Sequence, residues 1–246
     1  MTPGSEDAMA PNQNRPKVPA KSTGRAAVDR FLNQVAVTPK RAAGAGRGRL
    51  IFAMDATASR EPAWDRACHI QGEMFAATDS LGGLEVQLVF YRGFKECKAS
   101  PWVSSSRELV RRMTAVSCLG GHTQIGRVLA HAVKETLKQR VDALVFVGDA
   151  MEENIDALSH TAGELGLLGV PAFIFHEGRD PVAAGGFRQI AKLTKGAYCA
   201  FDAGSARQLK DLLGAVAVYA AGGRGALEDL SKRRGGVVRL LTSELE

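Results

Sequence analysis

Hydrophobic and polar positions alternate between two spacings along the chain. Short, nearly continuous apolar runs, typical of strands buried on both faces, are separated by segments whose apolar residues follow helical spacing. The first run, residues 50–54, ends on Asp55. The pattern predicts strands over 49–55, 84–91, 96–103, 142–147, 171–175 and 197–201, and helices over 62–78, 106–114, 125–140, 155–167, 187–195 and 205–221.

Alternating strands and helices predict an α/β fold with a doubly wound, mostly parallel sheet and helices on both faces. One strand departs from this order, since 96–103 follows 84–91 after a short turn and is predicted to be an antiparallel edge strand. Gly44, Gly46 and Gly48 precede the first strand. A dinucleotide-binding loop needs its glycines after that strand, so the simple Rossmann cofactor site is excluded.

The sequence divides into three regions. Residues 1–48 are rich in Pro, Gly and basic side chains and are predicted to be a disordered leader, within which 26–37 can form one short helix. Residues 49–221 form the predicted domain, resembling a Rossmann-like sheet in its element order. Residues 222–246 are a C-terminal tail to which the pattern assigns no structure.

The net charge of +6 lies in residues 1–49, which are the leader and the first residue of the predicted strand. Residues 1–49 contain nine Lys or Arg and three acids, so residues 50–246 carry 23 charges of each sign and are neutral. Such a leader can contact nucleic acid, but a solvated tail is the favoured interpretation, because Phe31 is its only aromatic residue. Nucleic-acid binding is therefore kept as an alternative only.

Cysteine spacing and hydropathy indicate the compartment. The four cysteines are widely spaced and form no CxxC pair, which favours reduced thiols in a cytosol. The first twenty residues contain no apolar signal-peptide core. The uncharged run 212–223 has 12 residues, whereas a membrane span needs about 20. We expect a cytoplasmic protein without a membrane partner.

Five oxygen-bearing side chains stand where the pattern places loops at strand ends. Asp55, Thr57 and Ser59 alternate directly after the first strand, Thr123 lies in a glycine loop before a helix, and Asp149 follows another buried strand. Carboxyl ends of neighbouring parallel strands meet at one edge of the sheet. Hard cations such as Mg²⁺ prefer carboxylate and hydroxyl oxygens. The sequence therefore predicts a metal site at this edge.

The pattern Asp55-x-Thr57-x-Ser59, followed by Thr123 and Asp149, resembles the metal-ion-dependent adhesion site (MIDAS) of von Willebrand factor A (VWA) domains over roughly residues 48–221. The resemblance implies that the three hydroxyls lie nearest Mg²⁺ or Mn²⁺, while both carboxylates act mostly through water.

It also leaves one coordination position for a partner protein's Asp or Glu, and AAA+ ATPases are among the partners it implies. Two departures stand out, since the family usually has Ser at position 57 and Gly where Ala150 follows Asp149.

The leading hypothesis is a metal-dependent protein-interaction module without enzymatic activity. A second hypothesis is a Mg²⁺-dependent phosphoryl-transfer or hydrolytic enzyme with Asp55 as nucleophile. Haloacid-dehalogenase-type phosphatases need a second Asp two residues later, where this chain has Thr57, and the sequence contains no phosphate-binding P-loop. Neither observation favours the enzyme.

Three residues near the predicted ligands have alternative roles. His122 can act as a general base, but a position in the rim loop is favoured. Glu152 and Glu153 can add negative charge near the ion, although we expect them to form the acidic start of the following helix.

Overall fold

The computed structural model describes residues 47–78, 83–201 and 206–233. The leader up to residue 46, including the short helix predicted over 26–37, lies outside the described residues, as do residues 234–246 of the tail. The division of the chain into three regions stays a prediction.

The described residues contain six strands: β1 (Gly48–Asp55), β2 (Leu84–Arg92), β3 (Glu96–Ala99), β4 (Ala143–Gly148), β5 (Ala172–Glu177) and β6 (Ala197–Phe201). They form one sheet with the order β3-β2-β1-β4-β5-β6. Every neighbouring pair is parallel except β2 and β3, which are antiparallel. The predicted fold class, with one antiparallel edge strand, is confirmed.

Helices connect these strands and cover both faces of the sheet. A short 3-10 helix, Ala58–Arg60, follows β1. The α-helices of the described residues are α1 (Glu61–Ile70), α2 (Gly72–Ala76), α3 (Ser106–Thr114), α4 (Ile125–Lys138), α5 (Ile155–Leu167), α6 (Pro181–Leu193) and α7 (Ala206–Arg233).

The core has two layers, one on each face of the sheet. Successive β1 side chains point to opposite faces, so that Phe52 packs with residues of α1, α2, α3 and α7, whereas Ile51 packs with residues of α4, α5 and α6. All eight residues of β1 are buried. The central strand is therefore apolar on both sides, which explains why its sequence is a continuous run and not an alternation.

Two helices differ from their predicted bounds. The helix predicted over 62–78 is two helices that separate at Gln71, whose backbone N–H still bonds the Ala67 carbonyl at 3.1 Å. The helix predicted to begin at 187 begins at Pro181. Asp180 accepts a hydrogen bond from the Val182 N–H at 2.8 Å and caps it, while proline suits the first helical position.

The closing helix and the edge strand also differ from expectation. Helix α7 continues past residue 221 to Arg233, with an interruption at Gly223, where φ is 69°. Strand β3 ends at Ala99 and not at residue 103, but Val103 still forms an isolated antiparallel bridge with Val86.

All four cysteines lie in described residues, and none of them forms a disulfide. The two-layered core therefore holds together without a disulfide, as expected for a chain of this length. Among the described helices, none combines the length and apolar composition that crossing a membrane requires.

Candidate metal centre

The predicted acidic strand ends lie side by side. Asp55 ends β1, and Asp149 directly follows β4, which pairs with β1 in parallel register from Leu50–Ala143 to Met54–Val147. Between them, a Cβ added at Gly148 would lie 3.9 Å from the Asp55 Cβ. The structure thus brings two carboxylates from distant parts of the sequence to one edge of the sheet.

A tight turn places the hydroxyls beside these carboxylates. Asp55 is 1% exposed, and its Oδ1 accepts a hydrogen bond from the Thr57 N–H at 2.7 Å. The Thr57 Oγ1 lies 3.4 Å from the Ser59 Oγ, which lies 3.4 Å from the Asp149 Oδ2. The oxygens of Thr57, Ser59 and Asp149 therefore form one connected group, and the Thr57 N–H holds the Asp55 carboxylate next to it.

Thr123 joins this edge by a different route. Its N–H donates to the Glu152 Oε2 at 2.9 Å, and the Glu152 N–H donates to the Thr123 Oγ1 at 3.0 Å. This reciprocal pair fastens the loop before α4 to the segment that follows Asp149. Thr123 is thus linked to the other four predicted ligands through the loop after β4.

The sequence predicted Glu152 and Glu153 as the acidic start of the following helix, but that helix begins later, at Ile155. The Glu153 carboxylate accepts hydrogen bonds from the Ile125 N–H at 2.6 Å and the Gly126 N–H at 2.8 Å. Both N–H groups belong to the first turn of α4 and have no acceptor within the helix, so a negative charge there is favourable. Asn154 caps α5 instead.

The glycine loop before Thr123 packs against the turn between β2 and β3. The His122 N–H donates to the Gly93 carbonyl at 3.2 Å, and a Cβ added at Gly121 would meet that carbonyl oxygen at 2.0 Å. The His122 side chain is 64% exposed and lies 3.1 Å from the Glu152 Oε2. Its ring contacts Phe94 edge to face at 5.2 Å. His122 is therefore a rim residue.

Sequence reasoning missed a buried ion-pair cluster at the same edge. The Arg60 side chain is 3% exposed; its Nη1 contacts the Glu177 Oε2 and lies 4.0 Å from the Asp149 Oδ2. The Arg66 Nη2 lies 2.9 Å from the Glu177 Oε1. Glu177 ends β5, next to β4. The predicted strand 171–175 stops two residues before Glu177. With the correct end, the rule that places functional acids at strand ends would have identified Glu177 as it did Asp55.

Burial sets the electrostatics of the site. Burial raises the pKa of Asp55, the Thr57 N–H opposes that shift, and the negative charge of Asp149 adds to it. Tyr91, the cross-strand neighbour of Asp55, has a pKa raised well above its usual value by burial and then by the Asp55 charge. An ionised Asp55 in this environment would be stabilised by a cation.

The chemistry of the donor set fits a hard divalent cation. Within the residues that the structure describes, no three His, Cys, Asp or Glu side chains are placed to hold a metal ion by themselves. A metal here therefore needs the hydroxyls of Thr57 and Ser59 as well as the carboxylates. Oxygen-only donors suit Mg²⁺ or Mn²⁺ better than metals that prefer sulfur or imidazole.

Comparison with known proteins gives similarity at the level of structure. The sequence matches no protein-family model, and no curated protein matches it at a significant level. Among solved structures, proximal thread matrix protein 1 from the mussel byssus superposes with a TM-score of 0.57 and 15% identity, over 70% of this chain and 47% of that one. The chain thus spans about half the length of the mussel protein.

Two further structures point to the same fold. The VWA domain of SpRpn10 superposes with a TM-score of 0.54 and 14% identity, over 68% of this chain and 94% of that one. A structure of the mussel protein with a zinc-occupied MIDAS motif has a TM-score of 0.54 and 14% identity, over 70% and 46%. At these identities the similarity establishes the fold.

Proposed function

The chain has the fold of a von Willebrand factor A domain, and from this premise we propose that it is a metal-dependent protein-interaction module. A divalent cation at the edge of the sheet would bridge the domain to an Asp or Glu of a partner protein. The observation that carries the proposal is the connected group of oxygens from Thr57, Ser59 and Asp149, next to the buried Asp55.

In this proposal Mg²⁺ or Mn²⁺ is held by the side chains of Asp55, Thr57, Ser59, Thr123 and Asp149. Two carboxylates supply about two negative charges, and hydroxyls add none, so a bound divalent ion keeps its attraction for a further anionic oxygen. The ion would supply that attraction, and the protein supplies the oxygens and the buried strands that carry them.

The roles of the protein groups differ. The Thr57 N–H orients the Asp55 carboxylate by a 2.7 Å hydrogen bond, and the Thr123–Glu152 pair holds the loop that carries Thr123. Turnover is not part of this proposal, because Thr57 occupies the place where the alternative phosphatase chemistry needs a second Asp.

Exposed apolar side chains border the same edge and extend the proposed contact with the partner. Phe94 is 71% exposed in the turn after β2, and Leu119 is 46% exposed beside Ala56, whose carbonyl accepts the Leu119 N–H at 3.1 Å. A partner segment with an acidic residue next to an apolar one matches this combination.

The proposed partner class is an AAA+ ATPase or another cytoplasmic assembly that presents such a segment. The resemblance to VWA domains supports the class, and four cysteines outside disulfides are compatible with a reducing compartment.

Mn²⁺ titration of the full chain, followed by electron paramagnetic resonance, tests metal binding. Asp149→Ala should weaken Mn²⁺ binding about 10- to 100-fold, because it removes one of two charged groups at the site. Asp156→Ala, which removes an exposed acid in the first turn of α5, is the matched control and should bind as the wild type does.

An affinity pull-down with and without Mg²⁺ tests partner binding. Capture should require Mg²⁺ and should be lost in Asp149→Ala, while the circular dichroism spectrum of that variant stays unchanged. Equal capture by the variant, or in EDTA, would contradict the bridging role of the ion.

A further inference from the structure

The edge that carries the proposed metal site also carries a buried positive charge. Arg60 directly follows the last ligand of the turn, and its side chain is 3% exposed. Its Nη1 contacts the Glu177 carboxylate and lies 4.0 Å from the Asp149 Oδ2. One guanidinium therefore lies between the acid that ends β5 and an acid proposed to hold the ion.

Glu177 is the nearer of the two acids and determines where this positive charge rests. Its other carboxylate oxygen lies 2.9 Å from the Arg66 Nη2, and its side chain is only 8% exposed. With both oxygens engaged, Glu177 is fixed in place. Glu177 thus draws Arg60 away from Asp149.

A fixed positive charge beside a metal ligand weakens cation binding by direct repulsion. The Coulomb energy between charges about 4 Å apart is large in a partly buried environment, and salt screens it little where the side chain is buried. The strength of the effect depends on how closely Arg60 approaches Asp149. That approach is opposed by the attraction of Glu177.

We propose that Arg60 is a resident counter-cation of Asp149, and that Glu177 is a positioning residue that sets the affinity of the site for its metal. This inference rests on the proposed function, because it concerns the same ion. A partner carboxylate would offset the Arg60 charge, so that metal and partner bind more tightly together than either does alone.

Two single variants should change metal affinity in opposite directions. In Mn²⁺ titrations of the full chain, Arg60→Met should tighten binding about tenfold, because the repelling charge is gone. Glu177→Gln should weaken binding about tenfold, because Arg60 is then free to pair with Asp149.

The double variant Arg60→Met/Glu177→Gln separates the positioning role from the direct charge of Glu177. It should bind Mn²⁺ within about threefold of Arg60→Met, since Glu177 acts through Arg60. Arg66→Met is the matched control, as it removes an arginine that contacts the same carboxylate; it should change affinity by less than about threefold.

Neither Arg60→Met nor the double variant leaves a buried charge without a partner, so both remain usable if Glu177→Gln does not fold. A purely structural role would change the thermal midpoint and leave Mn²⁺ affinity unaltered, which would overturn the inference. Equal weakening by Glu177→Gln in the presence and absence of Arg60 would also overturn it. A wild-type chain that binds no Mn²⁺ would instead refute the proposed function, and this inference with it.

Discussion

Neighbouring strands of one sheet end in acids that have different surroundings. At the ends of β1 and β4, Asp55 and Asp149 lie among hydroxyls and a backbone N–H. At the end of β5, Glu177 lies between Arg60 and Arg66. The topological position is equivalent, but Glu177 is paired closely with two arginines, whereas Asp149 has Arg60 at the longer distance of 4.0 Å.

Exposure separates Asp149 from Glu177, while Asp55 is buried. The side chain of Asp149 is 30% exposed, whereas that of Glu177 is 8% exposed. A partly exposed carboxylate whose nearest arginine lies 4.0 Å away can accept a ligand, while a buried carboxylate paired with two arginines supports the fold. The comparison teaches that an acid at a strand end can bind a ligand when the protein does not pair it closely with arginines.

The largest expected effect comes from removing Glu177, the acid that is paired with two arginines. Glu177→Ala leaves Arg60 buried without its main partner and should lower the free energy of unfolding by about 3–5 kcal/mol. Asp149→Ala should change it by less than about 1 kcal/mol, because that side chain is partly exposed and more loosely paired. Urea unfolding without metal measures both.

Arg66→Met is the control, because it removes the more exposed of the two arginines and leaves the buried Arg60–Glu177 pair intact. Similar losses for Glu177→Ala and Asp149→Ala would remove the distinction between a structural acid and a binding acid.

A smaller effect is expected at Thr123, which is a proposed metal ligand and also forms the hydrogen-bonded pair with Glu152. Thr123→Val removes the oxygen that accepts the Glu152 N–H, so the free energy of unfolding should fall by about 1–2 kcal/mol. Thr123→Ser keeps the oxygen and should recover most of that loss. If Thr123→Val unfolds at the same urea concentration as the wild type, the loop is not held by this bond.

The smallest effect on the fold is expected at the exposed rim. Phe94→Ala should change the free energy of unfolding by less than about 0.5 kcal/mol and should leave Mn²⁺ affinity unchanged. Partner capture should weaken about five- to tenfold, as for a moderate interface contact.

Leu167→Ala is the matched control for Phe94. Leu167 is 92% exposed at the end of α5, on the opposite edge of the sheet, and its truncation should leave capture unchanged. Equal effects of the two substitutions would argue against the rim as part of the partner surface.

The sheet and its order of elements were predictable because buried strands show as apolar runs. Helix bounds were less so: the break at Gln71 and the start at Pro181 depend on capping bonds and on packing that periodicity does not show. The continuation of α7 beyond residue 221 escaped prediction because Gly222 and Gly223 read as a helix end.

For the site, a strand-end rule was sufficient to place Asp55 and Asp149 together. It could not show that Glu152 and Glu153 bond the loop and helix before them, since those contacts join residues 27 to 29 positions apart. Arg60 was invisible for the same reason, because its partner Glu177 is brought close only by the order of strands.

The close approach of Gly121 to Gly93 has a consequence for how this surface can diversify. A side chain at position 121 would meet the carbonyl of the opposite turn, so the two loops are coupled in shape. Loop grafting or directed evolution that lengthens one turn while leaving the other fixed should mostly yield misassembled variants. Libraries that vary both turns as a single cassette are the ones expected to produce new specificities.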